Sequence, residues 1–335
     1  MSDLLPPTEQ RNPASRHLSE LDAPGVINLM ASEDYRVLEA VEQAGPYLAV
    51  AAGKVASAFL IGGRTIFIGA GTSGRIAMQE VAELPPTFGV PESSFLVLAA
   101  SGPTAGSAVI ARTEDDELAA PESIATLRVG HHDVIVGLAA SGTTPFVRAG
   151  MKAAAQAGAW TCGIANNPGS PLLGDGDLGI VLDTGPEILT GSTRLKAGTA
   201  QKLALNRITT AAMVTAGRVV QNHMIDMYGS NQKFRQRSIR MIVDLTGVEP
   251  EAAERLLRQS NWSVRRALEG HRAMLGDGLC LCAHAHGAFA QPSDARSGLH
   301  VGHVGGRHRR CLCRSDGGWR RLALQVPRPG KHAVR

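Results

Sequence analysis

The strongest candidate for chemistry in this sequence is a glycine-rich segment with two hydroxyl side chains, residues 69–74. It follows an apolar, β-branched run and precedes a stretch of helical periodicity, so the pattern predicts a strand, a tight turn and a helix N-terminus. The first amides of a helix have no acceptor within the helix, so they can donate to a bound ligand. The positive end of the helix dipole lies at the same place. This arrangement favours a phosphate group, with Thr72 and Ser73 as hydroxyl donors.

The same segment also matches the dinucleotide-binding pattern, a glycine at positions 69, 71 and 74. A site of that kind needs an acidic residue at the end of the next strand to hold the ribose. The next strand-like run, residues 95–100, ends in Ser101-Gly102 without a carboxylate. We therefore favour a sugar phosphate over a dinucleotide, and this segment alone leaves a plain turn without a ligand as the alternative.

A second segment repeats the arrangement. The apolar run 134–140 leads into the small and hydroxyl residues 141–144, and a helical stretch follows. Parallel strands bring their carboxyl ends to one edge of a sheet, where such folds bind ligands. We predict that Ser141 and Thr144 bind the substrate phosphate together with the hydroxyls of the first segment.

Carboxylates follow both of the first two predicted strands. Glu80 and Glu83 lie three residues apart in the helix that follows the first strand, and they can share one face of it. The acidic cluster 114–117 comes after the second strand. Solvated acidic surfaces are the ordinary alternative for both groups. Pro85 and Pro86 are expected to end the helix that contains Glu80 and Glu83, because proline lacks an amide hydrogen and clashes with the preceding turn.

The elements that position these residues alternate along the chain. Strand-like runs separated by helical stretches predict an α/β fold, doubly wound around a mostly parallel sheet. A helix is expected to begin at residues 32–34, and a long helix at about Ser192. The hydroxyls and cations near the start of that long helix fit either an anion site or a polar helix end at a subunit contact. Residues 230–275 predict a small helical bundle.

We divide the chain into four regions. Residues 1–54 form an N-terminal arm and helix, 55–218 the sugar-phosphate domain, and 219–275 the C-terminal helical region. Residues 276–335 hold four of the five cysteines, six of the eleven histidines and no Glu. We interpret this tail as unstructured or as translated in a shifted reading frame. A zinc site is the alternative, although its Cys-x-Cys spacing is not that of a standard finger.

Composition narrows the function classes. Ten basic and three acidic residues in 276–335 give that tail a charge of +7, which leaves −3 for residues 1–275. A mildly acidic body does not predict a nucleic-acid partner. The sequence has no apolar run of membrane-spanning length and no secretory signal in residues 1–15, so we expect a cytoplasmic protein without a membrane partner. We expect neither a cofactor nor a metal in its chemistry.

Several strings of residues together resemble the N-acetylmuramic acid 6-phosphate etherases, of the sugar isomerase (SIS) domain superfamily. The resemblance covers residues from about 8 to about 272. The strings that carry it are Thr8-Glu9-Gln10-Arg11-Asn12, residues 69–75, residues 83–90, Ala140-Ser141-Gly142 and residues 191–202.

The resemblance implies an enzyme that cleaves the lactyl ether of N-acetylmuramate 6-phosphate in peptidoglycan recycling, and a homodimer. It implies Glu83 as the acid that protonates the departing lactate oxygen and Glu114 as the second catalytic carboxylate. Such an acid works best when burial or a like-charged neighbour raises its pKa, and Glu80 is the candidate neighbour. A sugar-phosphate-binding regulator of the same fold and an aldose–ketose isomerase are the alternatives.

One distance constrains the site. Glu83 lies ten residues after Ser73, so a continuous helix separates them by about 15 Å, which is long for one sugar phosphate. Either the helix breaks early or Glu83 reaches a site of the partner subunit, and we favour a site shared across the dimer.

Overall fold

The computed structural model describes residues 5–100, 113–227, 231–274, 309–315 and 318–324. Two compact units divide the chain, Met1–Asp277 and Gly278–Arg335. In the second unit the described residues form an antiparallel hairpin, β8 (Arg309–Ser315) and β9 (Gly318–Leu324). The cysteines and histidines of the zinc alternative lie outside the described residues, apart from Cys311 and Cys313 in β8. The interpretation of the tail and the domain boundaries stay predictions.

Five parallel strands form the central sheet of the first unit, in the order β2-β1-β3-β4-β5. Because both faces of the sheet are covered, the strands are apolar along nearly their whole length. The doubly wound α/β fold is confirmed, and all five strands lie where they were predicted. They are β1 (Thr65–Gly69), β2 (Phe95–Ala99), β3 (Val134–Leu138), β4 (Trp160–Ala165) and β5 (Leu178–Val181).

Helices cover both faces of the sheet. Side chains alternate along a strand, so Phe67 of β1 packs into one core while Ile66 and Ile68 pack into the other. The first core includes side chains of α1, α2, α3 and α6, and the second those of α4 and α5. These helices are α1 (Ala23–Gln43), α2 (Gly45–Leu60), α3 (Gly71–Phe88), α4 (Ala119–Thr126), α5 (Pro145–Gln156) and α6 (Lys196–Thr215).

The strand order reverses between β1 and β3. These two strands are neighbours, with Gly69 opposite Leu138, but the chain passes through β2 between them. At the opposite end, Arg64 donates two side-chain hydrogen bonds to Asp133, at 3.1 and 2.7 Å, which ties the starts of both strands together. A doubly wound sheet binds its ligand at such a reversal, at the carboxyl ends of the strands.

The first helix begins ten residues earlier than predicted. It starts at Ala23, because Asp22 caps it by accepting a hydrogen bond from the amide of Gly25 at 2.9 Å, and Pro24 suits the first turn. The start predicted at residues 32–34 is therefore wrong. Helical periodicity did continue to about residue 60, but over two helices that meet at Ala44.

The C-terminal part of the first unit is a small bundle, as predicted. Three helices pack against one another, α7 (Gln232–Thr246), α8 (Pro250–Gln259) and α9 (Val264–Met274). A short hairpin, β6 (Val219–Val220) with β7 (His223–Met224), precedes them. Within the described part of the chain, no helix is both long and apolar enough to cross a membrane.

Candidate active site

The turn from β1 into α3 brings a helix N-terminus against the strand end. Gly69 ends the strand, and a Cβ there would lie 2.8 Å from the amide nitrogen of Gly74, so only glycine permits this close approach. The first backbone bond of the helix runs from the Gly74 amide to the Ala70 carbonyl. The preceding amides have no acceptor within the helix, and they lie beside the hydroxyls of Thr72 and Ser73. The turn therefore has the donors of a phosphate site.

The turn from β3 into α5 presents a second set of hydroxyls. Ser141 Oγ accepts hydrogen bonds from the amide and the hydroxyl of Thr143, at 3.2 and 3.0 Å. Gly142 has φ +69°, and a Cβ there would lie 2.0 Å from Ser170 Oγ, so this turn too requires glycine. Thr144 is the residue before α5. Because β1 and β3 are neighbours, the structure brings both turns to the same edge of the sheet.

The N-terminal arm closes one side of this edge. The Thr8 amide donates to Asn167 Oδ1 at 3.0 Å, and Asn167 Nδ2 donates back to Thr8 Oγ1 at 2.9 Å. Asn167 also donates to the carbonyl of Ser141, at 3.2 Å. A cavity of about 340 Å³ lies here, lined by Thr8, Glu9, Ser141, Thr143, Asn167, Ser170 and four neighbouring residues. The arm thus forms part of the wall of the candidate site.

The start of α6 already holds an anion from its own chain. The buried carboxylate of Glu187 accepts hydrogen bonds from the amides of Lys196 and Ala197, at 3.2 and 2.9 Å. Burial raises the pKa of Glu187 more than these bonds lower it. The Lys196 ammonium lies 2.6 Å from Glu33 Oε2. Of the two alternatives for this helix end, the anion site is thus filled from within the chain: Glu187 binds these amides and Glu33 binds this lysine.

Helix α3 does not end at Pro85 and Pro86. It continues to Phe88 and stops at Gly89, which has φ +61°. The prolines lie in the last turn, where their fixed φ suits a helix and only two amide donors are lost. The predicted end is wrong, and so is the alternative that the helix breaks before Glu83. Ser73 and Glu83 consequently lie about 15 Å apart along one helix.

A lysine of α6 lies between the two carboxylates of α3. Lys202 Nζ is 2.7 Å from Glu80 Oε2 and 3.8 Å from Glu83 Oε2. Thr209 Oγ1 also donates to Glu80, at 2.6 Å. The Glu80 side chain is only 4% exposed, so a solvated acidic surface is the wrong interpretation for it, whereas the Glu83 side chain is 56% exposed. Gln79 Nε2 donates to Glu83 Oε1 at 3.2 Å.

Glu114 lies at the boundary of the described residues and has helical backbone geometry. Its side chain is partly buried, and this burial, followed by the negative charge of Asp115, raises the pKa of Glu114. Part of the path from β2 to this residue, 101–112, lies outside the described residues. A carboxyl group of raised pKa suits proton transfer near neutral pH.

Part of the chain matches a known domain family. A family model described as the glucokinase regulatory protein N-terminal SIS domain matches residues 48–155. Among solved structures, a phosphoheptose isomerase from Francisella tularensis is 17% identical, with a TM-score of 0.46, over 58% of this chain and 100% of that one.

Closer sequence relatives decide the family. The N-acetylmuramic acid 6-phosphate etherase of Salmonella agona (strain SL483) is 43% identical over 261 residues, which are 78% of this chain and 88% of that protein. The protein of the same name from Salmonella typhi matches with the same identity and coverage. This chain belongs to the N-acetylmuramic acid 6-phosphate etherase family. The predicted family resemblance is confirmed.

Sequence patterns missed the contacts that come from distant segments of this chain. Thr8 and Asn167 are 159 positions apart, and Lys202 lies 122 positions after Glu80. A signal for both did exist, because the strings at residues 8–12 and 191–202 carried the family resemblance. The assignments of Thr72, Ser73, Ser141 and Thr144 to phosphate, and of Glu83 and Glu114 to catalysis, stay predictions.

Proposed function

We propose that this chain cleaves the D-lactyl ether of N-acetylmuramate 6-phosphate, giving N-acetylglucosamine 6-phosphate and D-lactate, with Glu83 and Glu114 as its catalytic carboxylates. The proposal rests on 43% sequence identity over 88% of the length of a relative named as an etherase. It rests also on the presence of a carboxylate at positions 83 and 114. The geometry adds two hydroxyl-bearing turns at the reversal of the sheet, where a sugar phosphate is expected. Enzymatic release of D-lactate from this substrate tests the proposal.

The chemistry requires positioned proton carriers. A base removes the proton at C2, which the aldehyde of the open-chain sugar makes acidic. The C3–oxygen bond breaks, and the departing lactate oxygen takes a proton from an acid, which leaves a double bond between C2 and C3. Water then adds its oxygen at C3, and a proton returns to C2. Each transfer needs a carboxyl group within hydrogen-bond reach of the proton that it moves.

We assign the acid to Glu83 and the base to Glu114. Glu83 is exposed at the end of a long helix, so it can reach a ligand. Glu114 has a partly buried carboxylate of raised pKa, which makes it a stronger base than an ordinary glutamate. The hydroxyls of Thr72, Ser73, Ser141 and Thr144 hold the phosphate group in this proposal.

The assignment of Glu114 predicts a specific pH dependence. The base must be ionised, so kcat/KM falls as the pH drops through the raised pKa of Glu114. Asp115→Asn removes a negative charge that contributes to this raised pKa. We therefore expect the acid limb of the pH profile to move to lower pH in this variant. Asp244→Asn, an exposed change on α7, is the control and leaves the limb in place. An unmoved limb in Asp115→Asn contradicts the assignment.

The 15 Å between Ser73 and Glu83 supports a site shared by two subunits of a homodimer. Mixing inactive Ser73→Ala chains with inactive Glu83→Gln chains then restores one complete site in each mixed dimer. Half of the dimers in an equal mixture are mixed and each has one of two sites, so about one quarter of the parent activity is expected. Measurement of lactate release after subunit exchange checks this. Recovery of no activity, with exchange verified, contradicts the shared site.

The proposed compartment follows from the substrate. A charged sugar phosphate does not cross a bilayer unaided, so the enzyme works where its substrate is phosphorylated, in the cytoplasm. The homodimer and the absence of a nucleic-acid or membrane partner belong to the same proposal.

A further inference from the structure

The ammonium group of Lys202 has hydrogen-bonding capacity that its observed bonds do not use. A lysine has three N–H donors. Lys202 donates to Glu80 at 2.7 Å, while Glu83 at 3.8 Å is beyond hydrogen-bond distance. The Lys202 side chain is 25% exposed, so it reaches the surface beside Glu83. The buried Glu80 carboxylate accepts from Lys202, and the hydroxyl of Thr209 donates to the same carboxylate.

The proposed substrate carries an anion that must lie close to Glu83. Its lactyl carboxylate is two bonds from the ether oxygen that Glu83 protonates, so both carboxyl groups lie within a few ångströms of each other. Two like charges at this distance repel unless a cation lies beside them. In the structure, Lys202 supplies a cation at this position.

We propose that Lys202 binds the lactyl carboxylate of the substrate and thereby selects the lactyl ether over sugar phosphates that lack it. The inference rests on the proposed function. Glu80 then serves as a positioning residue, because its buried carboxylate fixes the ammonium at the surface.

Two ligands that differ only by the lactyl group test the inference. Calorimetric titrations use the Glu83→Gln chain, which is expected to turn the substrate over only slowly. Adding Lys202→Met is expected to weaken the binding of N-acetylmuramate 6-phosphate by about 10–100-fold, because a charge-assisted hydrogen bond is lost. The binding of N-acetylglucosamine 6-phosphate is expected to change by less than about twofold, because that ligand has no lactyl group. Lys233→Met, at an exposed position on α7, is the control for the lost charge.

A second pair of variants separates binding from folding. Lys202→Met leaves the buried Glu80 carboxylate without its cation, so the double change Glu80→Gln with Lys202→Met is also measured, against Glu80→Gln alone. The same selective loss in the double variant supports the inference. An equal loss for both ligands, or a loss for neither, overturns it. If the parent chain releases no lactate and the Glu83→Gln chain binds neither ligand, the proposed function fails as well. Lactate release by the parent with no selective loss overturns the role of Lys202 alone.

Discussion

Glu83→Gln is expected to lower kcat for lactate release by about 10²–10⁴-fold, the usual contribution of a positioned general acid. Glutamine keeps the shape of the side chain and its contacts with Gln79 and Lys202, but it has no proton to give. Since the Glu83 side chain is 56% exposed, the free energy of unfolding should change by less than about 0.5 kcal/mol. Rapid-quench or steady-state measurement of D-lactate gives kcat, and urea unfolding gives the stability.

The control for this variant is another exposed helical glutamate. Glu39→Gln on α1 removes the same charge from the same kind of position, and full activity is expected. An activity of Glu83→Gln within about threefold of the parent contradicts its role as the acid. A loss of activity that accompanies a loss of product binding assigns Glu83 to binding instead.

Lys196→Met is expected to produce the largest loss of stability, about 3 kcal/mol, because the buried Glu33 carboxylate then keeps only the half-exposed Arg36, at 3.5 Å, as its cation. Lys196 is 3% exposed and lies 2.6 Å from Glu33 Oε2, and Asn12 Nδ2 donates to the same oxygen at 2.7 Å. The contact ties α6 to α1 and to the N-terminal arm. Urea unfolding followed by circular dichroism measures the loss. A change below about 1 kcal/mol contradicts the role of this pair.

A double variant checks the reason for that loss. Glu33→Gln with Lys196→Met removes both charges, and the amide oxygen of glutamine can still accept from Asn12. We expect the double variant to recover most of the stability that Lys196→Met loses, since it no longer has a buried carboxylate that lacks its buried lysine. Lys233→Met is the exposed control, and its effect should be within about 0.5 kcal/mol.

The same pair predicts how stability depends on pH. Burial by itself raises the pKa of Glu33, but hydrogen bonds from Lys196 and Asn12, with the charges of Lys196 and Arg36, outweigh it and hold the pKa below the ordinary value of 4.5. The ionised group therefore contributes its full stability above about pH 4.5 and loses it as the pH falls through the lower pKa of the folded state. The free energy of unfolding of the parent should fall more steeply over this acidic range than that of the double variant.

Local patterns predicted most of the fold. Each strand of the sheet is a short apolar run, and this is a signal within a few residues. The two hydroxyl-bearing turns follow β1 and β3, which are neighbours in this sheet. The start of α1 also has a local signal, in Asp22 and Pro24. The prediction instead followed Ser32, which two acidic residues follow as in the first turn of a helix.

The rest depends on contacts between distant segments. Glu80 and Glu83 are the same residue type three positions apart, yet one is buried and the other exposed, because Lys202 and Thr209 of α6 cover Glu80. The anion at the start of α6 is Glu187 of the same chain, which no spacing rule indicates. Pro85 and Pro86 lie in the last turn of α3, and only Thr87 and Phe88 follow them before the helix ends.

Incubating the purified full chain with N-acetylmuramate 6-phosphate in water enriched in heavy oxygen is the most direct test of the proposed reaction. We expect one D-lactate for each substrate consumed and N-acetylglucosamine 6-phosphate with the heavy oxygen at C3, since the ether oxygen leaves with lactate and water replaces it. Unchanged substrate, or a rearranged sugar phosphate without lactate, contradicts the etherase. Lactate that carries the label, with none in the sugar, contradicts elimination and hydration at C3.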